Sequence, residues 1–183
     1  MIRNVKKAIG IIIILCSIVL AYIILPWAGM FIEMVLMPNP QKPQITYGEF
    51  PFRLVYEIDN KTIVVEDTLI CEYDGYAADT ASGKYRTWKS HLRSGNAHIT
   101  LFKNENLEIF YTPDVNQHAA GVYMGDTEIY SSINEAFPNA WQTYIFNDRQ
   151  SSAYIISADD MWEKYKLRLI SWEIAPPIEN NFK

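Results

Sequence analysis

The sequence predicts an α+β protein, mainly antiparallel β in hairpins or a meander, with one N-terminal transmembrane helix and a short C-terminal helix. Three observations carry this expectation. Ala8 to Ile32 holds no Asp, Glu, Lys, Arg or His. Several segments beyond Gln44 alternate apolar and polar residues with the period of two that a half-buried strand shows. Late in the chain, Asp159 can cap a short helix holding Met161, Trp162 and Tyr165.

A helix rises about 1.5 Å per residue, so roughly 20 apolar residues cross a bilayer core. Lys7 bounds the run with a charge and Trp27 with an interfacial aromatic, about 30 Å apart along a helix. Arg3, Lys6 and Lys7 precede the run without an acid, and Glu33 is the first ionisable residue after it. The positive-inside bias therefore expects a single pass through the cell membrane, with residues 1–7 cytoplasmic and the C-terminal domain extracellular. A cleaved signal peptide is the competing expectation, but it requires a small-x-small site. Pro26 and Trp27 stand three residues before the cuts that Ala28 and Gly29 would offer. A lipoprotein needs a cysteine after a small residue near the end of the run, whereas Cys16 follows Leu15 in its middle. Residues 8–32 are read as a retained signal anchor.

Charge divides at this anchor. Beyond Arg3, Lys6 and Lys7 the chain carries 13 basic against 21 acidic residues, a net charge of −8. Such an exterior repels nucleic acid, anionic lipid and anionic wall polymers, and leaves protein partners and neutral or cationic envelope ligands. The 140 residues from Gln44 onward suffice for one domain with its own core. Cys16 and Cys71 are separated by the anchor's outer end, so the exterior domain has no internal disulfide. Cys71 alternates with Leu69 and Tyr73 and reads as a small core residue, a reactive or intermolecular thiol being the alternative.

Residues 33–43 form a Pro-rich linker: Met34, Val35 and Met37 can extend the helix along the outer interface, and Pro38, Pro40 and Pro43 favour an extended spacer. Residues 44–183 form the β-rich domain. Phe50 to Ile58 alternates as a strand, with Pro51 tolerable near its start or on an edge. Asp59-Asn60-Lys61 turns, and Ile63 to Tyr73 returns to complete a hairpin. Asp74 to Lys84, small and polar with Gly75 and Gly83, reads as an exposed loop. Tyr85–Leu92 and Ala97–Phe102 suggest a second hairpin around Ser94-Gly95-Asn96, which sets His91 opposite His98. Further strands are expected at Leu107–Tyr111, Ala119–Met124, Trp141–Phe146, Ala153–Ser157 (buried) and Leu167–Ile174, with a helical turn over Ser132–Phe137.

The segments ITYGEFPFRLVYEIDNKTIVVEDTLICEYDGY, GKYRTWKS and YIISADDMWEKYKLRLISWEIAPPIEN resemble those of small, membrane-anchored, uncharacterised proteins of clostridia-like Gram-positive bacteria. The resemblance covers most of the exterior domain. It implies a bacterial, extracytoplasmic setting and carries no activity or site residue with it.

Chemistry must then come from the residues. His91 and His98, if facing, would make half a metal site that needs one or two more ligands such as His118 or a carboxylate. No HxH, HExxH or Cys/His spacing supports them, so a solvated face shared with Lys89 and Thr100 is the plainer reading, and neither metal nor cofactor is expected. Asp74, Asp79 and Asp126 sit near glycines, but the D-x-[DN]-x-[DN]-G order of a calcium loop is missing, and such aspartates usually make Asx-turns or face water. Asp159-Asp160 fits a helix start. Ser131-Ser132 and Ser151-Ser152 lack the G-x-S-x-G context of a nucleophile. No catalytic residue is assigned.

Aromatic residues make up 14% of the chain. Tyr76, Tyr85, Trp88, Tyr111, Tyr123, Tyr130, Trp141 and Tyr144 could line a recognition face, although strand cores use the same residue types. The sequence, which carries no catalytic motif, therefore points to a membrane-anchored extracytoplasmic binding or interaction module of non-catalytic character; the alternatives are an extracytoplasmic hydrolase and a membrane-held immunity or inhibitor protein. A recognition module requires an exposed aromatic patch. A hydrolase requires a pocket that gathers the His and Asp residues.

Overall fold

A long, mainly apolar sequence forms α1 (Ile2–Leu36), of which Gly10–Leu36 has a mean hydropathy of 2.7 and is long and apolar enough to cross a membrane. The helix takes up the first residues assigned to the linker. Pro26 lies inside it and removes one backbone donor. Ser17 Oγ donates to Ile13 O at 2.9 Å, so its hydroxyl is satisfied within the apolar stretch.

The computed structural model describes residues 2–79, 83–112, 118–126, 140–146, 149–150 and 153–182. They divide into two compact units: residues 1–40 with 76–85, and residues 41–75 with 86–183. The expected helical turn over Ser132–Phe137, Tyr130, and the serine pairs Ser131-Ser132 and Ser151-Ser152 lie outside the described residues.

In the second unit the alternation of β1 (Tyr47–Ile58) buries Phe50, Phe52, Leu54 and Tyr56 and exposes Glu49, Pro51 and Arg53. Asp59 and Asn60 both take positive φ, 49° and 59°, forming a two-residue turn whose twist suits a hairpin. Ile58 then pairs with Lys61, and β2 (Lys61–Asp79) runs antiparallel to β1 out to Tyr47↔Glu72. With β3 (Gly83–Leu92) and β9 (Leu167–Ile174) these make a four-stranded sheet ordered β3-β2-β1-β9. Pro51 is thus in a central strand. Its carbonyl accepts from Ala175 N at 3.0 Å on the β9 side, just past Ile174, where β9 ends, so the proline falls at the end of that ladder.

The second sheet is ordered β4-β5-β6-β7, from β4 (Ile99–Lys103), β5 (Leu107–Tyr111), β6 (Ala140–Phe146) and β7 (Arg149–Gln150), with β8 (Tyr154–Ile155) also paired to β6. Residues of both sheets, α2 (His118–Tyr123) and α3 (Ala158–Tyr165) share one core, in which Leu54, Leu69, Cys71, Ile109, Met124 and Leu167 are fully buried. Tyr111 and Trp172 meet edge to face across it, their centroids 4.9 Å apart.

Five local expectations change. Asp74–Lys84 is mostly strand, its two arms being the end of β2 and the start of β3. β3 and β4 are not a hairpin: β3 lies beside β2 and β4 pairs with β5, so His91 lies in the first sheet and His98 just before β4 of the second. Within Ala119–Met124 the chain is helical through Tyr123, because α2 sends Ala120 and Met124, four residues apart, to the same core face. Of Ala153–Ser157 only Tyr154 and Ile155 are strand, and both are exposed. The cap of α3 is Ser157, not Asp159: Ser157 Oγ accepts from Asp160 N at 3.1 Å.

Candidate functional site

The most deeply buried polar group of the second unit is built on β3 and the end of α2. Inward alternation on β3 turns Arg86 and Trp88 to the core, 1% and 2% exposed. α2 ends in a Schellman pattern, with Gly125 N donating to Val122 O at 2.9 Å and Asp126 N to Gly121 O at 2.8 Å. Gly125 supplies the positive φ of 74° that this ending needs. Asp126 is thereby delivered to Arg86: Nε donates to Oδ2 at 2.7 Å and a terminal nitrogen to Oδ1 at 2.6 Å, a two-pronged pairing. Trp88 Nε1 donates to Oδ2 at 2.9 Å, Arg86 also reaches Gln41 O at 3.2 Å, and the Phe182 ring lies 4.1 Å from the guanidinium carbon. The C-terminal tail is held by the same region, since Ile178 N donates to Tyr123 O and the Asn180 amide to Met124 O and Ile45 O. The charges are paired and enclosed, so this group holds chain segments together rather than meeting a ligand. Asp126 had read as an exposed turn aspartate; burial reverses that.

A second enclosed carboxylate is Glu108 on β5, 2% exposed. It receives Thr100 Oγ1 at 2.8 Å, Lys103 Nζ at 3.3 Å and the His98 ring nitrogen at 2.9 Å. Burial pushes its carboxyl up, but these three donors outweigh burial and hold it below the usual carboxylate range. His98 also packs 4.3 Å from the Phe110 ring. His91 is exposed on β3, and among the described residues no three His, Cys, Asp or Glu side chains are placed to hold a metal.

The outer face of the first sheet is charged and paired. Arg53 meets Glu66 at 3.6 Å, Lys89 meets Glu72 and Asp74 each at 3.7 Å, Arg168 meets Glu57 at 3.3 Å, and Arg93 meets Glu49. An open depression of about 660 Å³ lies here between Phe52, Arg53, Glu66, Asp67, Glu173 and Ile174. Asp67 Oδ1 accepts from Thr68 N and Ser94 N, and Arg53 neutralises Glu66, so the depression is a solvated face rather than a closed pocket. Asp79 is exposed at the end of β2.

The expected aromatic face separates. Trp88 and Tyr111 belong to the core, and burial pushes the Tyr111 phenol far up. Tyr85, Tyr123 and Trp141 are half-buried, and the Trp141 indole N–H finds no acceptor among the described residues. Tyr76 and Tyr144 are exposed but belong to different units. Around Tyr144 a smaller patch remains. Tyr154 stands with its ring centroid 6.0 Å away, Ile155 follows at 56% exposure, and half-buried Tyr165 of α3 is close enough that burial and then the Tyr144 phenol raise its own phenol. Tyr154 and Ile155 escaped the sequence reading because their short segment looked like a core strand. Arg86 and Glu108 escaped it because a charged residue inside a strand ordinarily marks the solvent side.

No known protein family, curated protein or solved structure matches this chain.

Proposed function

We propose that the chain is a single-pass bacterial cell-membrane protein whose N-terminus is cytoplasmic and whose β-rich unit is an extracytoplasmic, non-catalytic binding or interaction module. The observation that carries this reading is the exposed patch of Tyr144, Tyr154 and Ile155 beside Tyr165, on a domain whose buried charged groups are already engaged with one another. Tyrosines offer an apolar body and a polar tip at low ordering cost, which suits a protein or neutral envelope ligand. Arg3, Lys6 and Lys7 support the orientation through the positive-inside bias. The net charge of −8 beyond them favours a cationic partner over an anionic one, and an immunity or inhibitor role is the second reading that this charge supports. A hydrolase would need its acids and bases in one cleft; His91 lies on β3, His98 just before β4 and paired with Glu108, and Asp126 after α2 and paired with Arg86.

Site-specific photo-crosslinking in native membranes tests this. A photoreactive residue in place of Tyr144 in the full chain should crosslink one partner, and Tyr154→Ala should remove the product. The same probe at Val64, 45% exposed on the first sheet, should not give it. Equal products from both positions would overturn the assignment.

A further inference from the structure

We infer that Ala175–Phe182, the segment after β9, is a strap: it fastens Gln41–Ile45, the stretch by which the chain enters the second unit, and opens as one piece while both sheets stay folded. The strap is independent of whether α1 crosses a membrane.

Pro176 and Pro177 lack the N–H groups that a continuing β9 ladder would use, so the chain leaves the β9 edge of the first sheet there. It then runs toward the opposite edge. Ala175 N donates to Pro51 O of β1 at 3.0 Å, Ile178 N donates to Tyr123 O of α2 at 2.9 Å, and the Phe182 ring lies 4.1 Å from the guanidinium carbon of Arg86 on β3. Side chains alternate along this path as on a half-buried strand: Ile178, Asn180 and Phe182 turn inward, Glu179 and Asn181 outward. Gly125 leaves room for it, since a Cβ there would lie 2.5 Å from Ile178 O and 3.0 Å from Asn180 N.

Asn180 takes the place of a neighbouring strand for the entering chain. Its Oδ1 accepts from Ile45 N at 3.0 Å and its Nδ2 donates to Ile45 O at 2.8 Å, which satisfies both backbone groups of one residue, and Nδ2 also reaches Met124 O at 3.1 Å. Beside it, Gln44 N donates to Asn181 O at 2.9 Å and Pro43 bridges antiparallel to Phe182. Gln41 O accepts from Arg86, under the Phe182 ring, at 3.2 Å. Thr46 is fixed separately, by Tyr73 N of β2 at 2.9 Å, so the stretch that the strap controls ends at Ile45.

The inward side chains of the strap are half-buried, whereas Leu54 and Leu69 of the central strands are fully buried. A segment with little buried apolar contact opens at a lower free energy than the whole domain. Three of the bonds pass through one carboxamide, so they form and break together. Opening lifts Phe182 from Arg86 and leaves Gln41–Ile45 without its main partners. The strap thereby sets how much of the Pro-rich linker is free: residues 38–40 while it is docked, and on to Ile45 once it opens.

The test is site-resolved hydrogen–deuterium exchange on the full chain in detergent micelles. In the natural sequence the Gln44, Ile45 and Ile178 amides should exchange at similar rates and ahead of the Leu54 and Leu69 amides; exchange of all five at one rate would overturn the strap. Asn180→Ala should accelerate the first three by at least about tenfold and leave Leu54 and Leu69 unchanged. Phe182→Ala removes no side-chain hydrogen bond, yet it should accelerate the same three. Acceleration confined to Ile45 in Asn180→Ala would overturn opening as one piece. Equal acceleration at Leu54 and Leu69, or unfolding of the unit by both variants, would show that the segment belongs to the core and would overturn the inference.

Discussion

Removing one partner of the Arg86–Asp126 pair should unfold the second unit at much lower denaturant. Asp126→Ala leaves a guanidinium whose side chain is 2% exposed without its two-pronged acceptor. Breaking a buried pair from one side typically costs about 3–5 kcal/mol, because the surviving charge remains desolvated. The Trp88 indole N–H loses its acceptor too, a further penalty of about 1–3 kcal/mol when a buried donor is left unmade. These overlap, so the expected loss is about 4 kcal/mol, a large fraction of the roughly 5–15 kcal/mol that holds a domain folded. Replacing both partners in Arg86→Met/Asp126→Ala removes the stranded charge. The double variant should therefore cost less than the sum of the single changes, with a coupling of about 2–3 kcal/mol. Equilibrium denaturation of the full chain in detergent, followed by tryptophan fluorescence at constant slope, measures all four species. A loss below about 1 kcal/mol for Asp126→Ala, or strict additivity, would refute the reasoning.

Other expectations follow from single residues. Glu108 titrates below its usual value in the folded state, so it contributes stability above about pH 4.3 that disappears as pH falls through its folded pKa; Glu108→Gln should flatten the acid limb of the stability profile. The slope that remains belongs in part to Glu49 and Asp160, held low by Tyr47 and Lys164. Gly125→Ala should cost about 1–3 kcal/mol for a positive φ, and more because its Cβ would meet Ile178 O at 2.5 Å. Gly95→Ala, with a positive φ but open space around it, should cost only the first part, and a thermal melt compares the two. Ser157→Ala should lower stability by about 1 kcal/mol through loss of the α3 cap, whereas Asp159→Ala should leave that cap intact.

The legible parts of the fold are those whose signals are local. The β1–β2 hairpin announces itself because Asp59-Asn60 can adopt positive φ and the alternation of Phe50, Phe52, Leu54 and Tyr56 fixes which face is buried. β9 alternates as well, β5 and β6 show in strand-like composition, and Cys71 is the small core residue its neighbours suggest. What escaped depends on contacts distant in sequence. Residues 74–84 look like a loop because they are small and contain two glycines, yet the arms remain paired and the hairpin end is fixed by Met37 and Lys84. Ser94-Gly95 invites a local hairpin, but Arg93 N bonds to Thr68 O and the chain then crosses to the other sheet. For the candidate patch, Tyr144 was legible as an aromatic in a strand; its companion Tyr154 became visible only when β8 paired with β6. Arg86 and Asp126 are separated by 40 residues, and no spacing rule links them.

The central claim is that α1 anchors a domain displayed outside the membrane, and thiol accessibility tests it most directly. In cells expressing the full chain with Cys16→Ser, Asn60→Cys lies in the exposed β1–β2 turn and Asn4→Cys precedes the apolar stretch. A membrane-impermeant maleimide should label position 60 in intact cells and position 4 only after lysis, with the protein recovered in the membrane fraction. Labelling of position 4 but not 60 in intact cells, or release of the domain without its helix, would contradict the account.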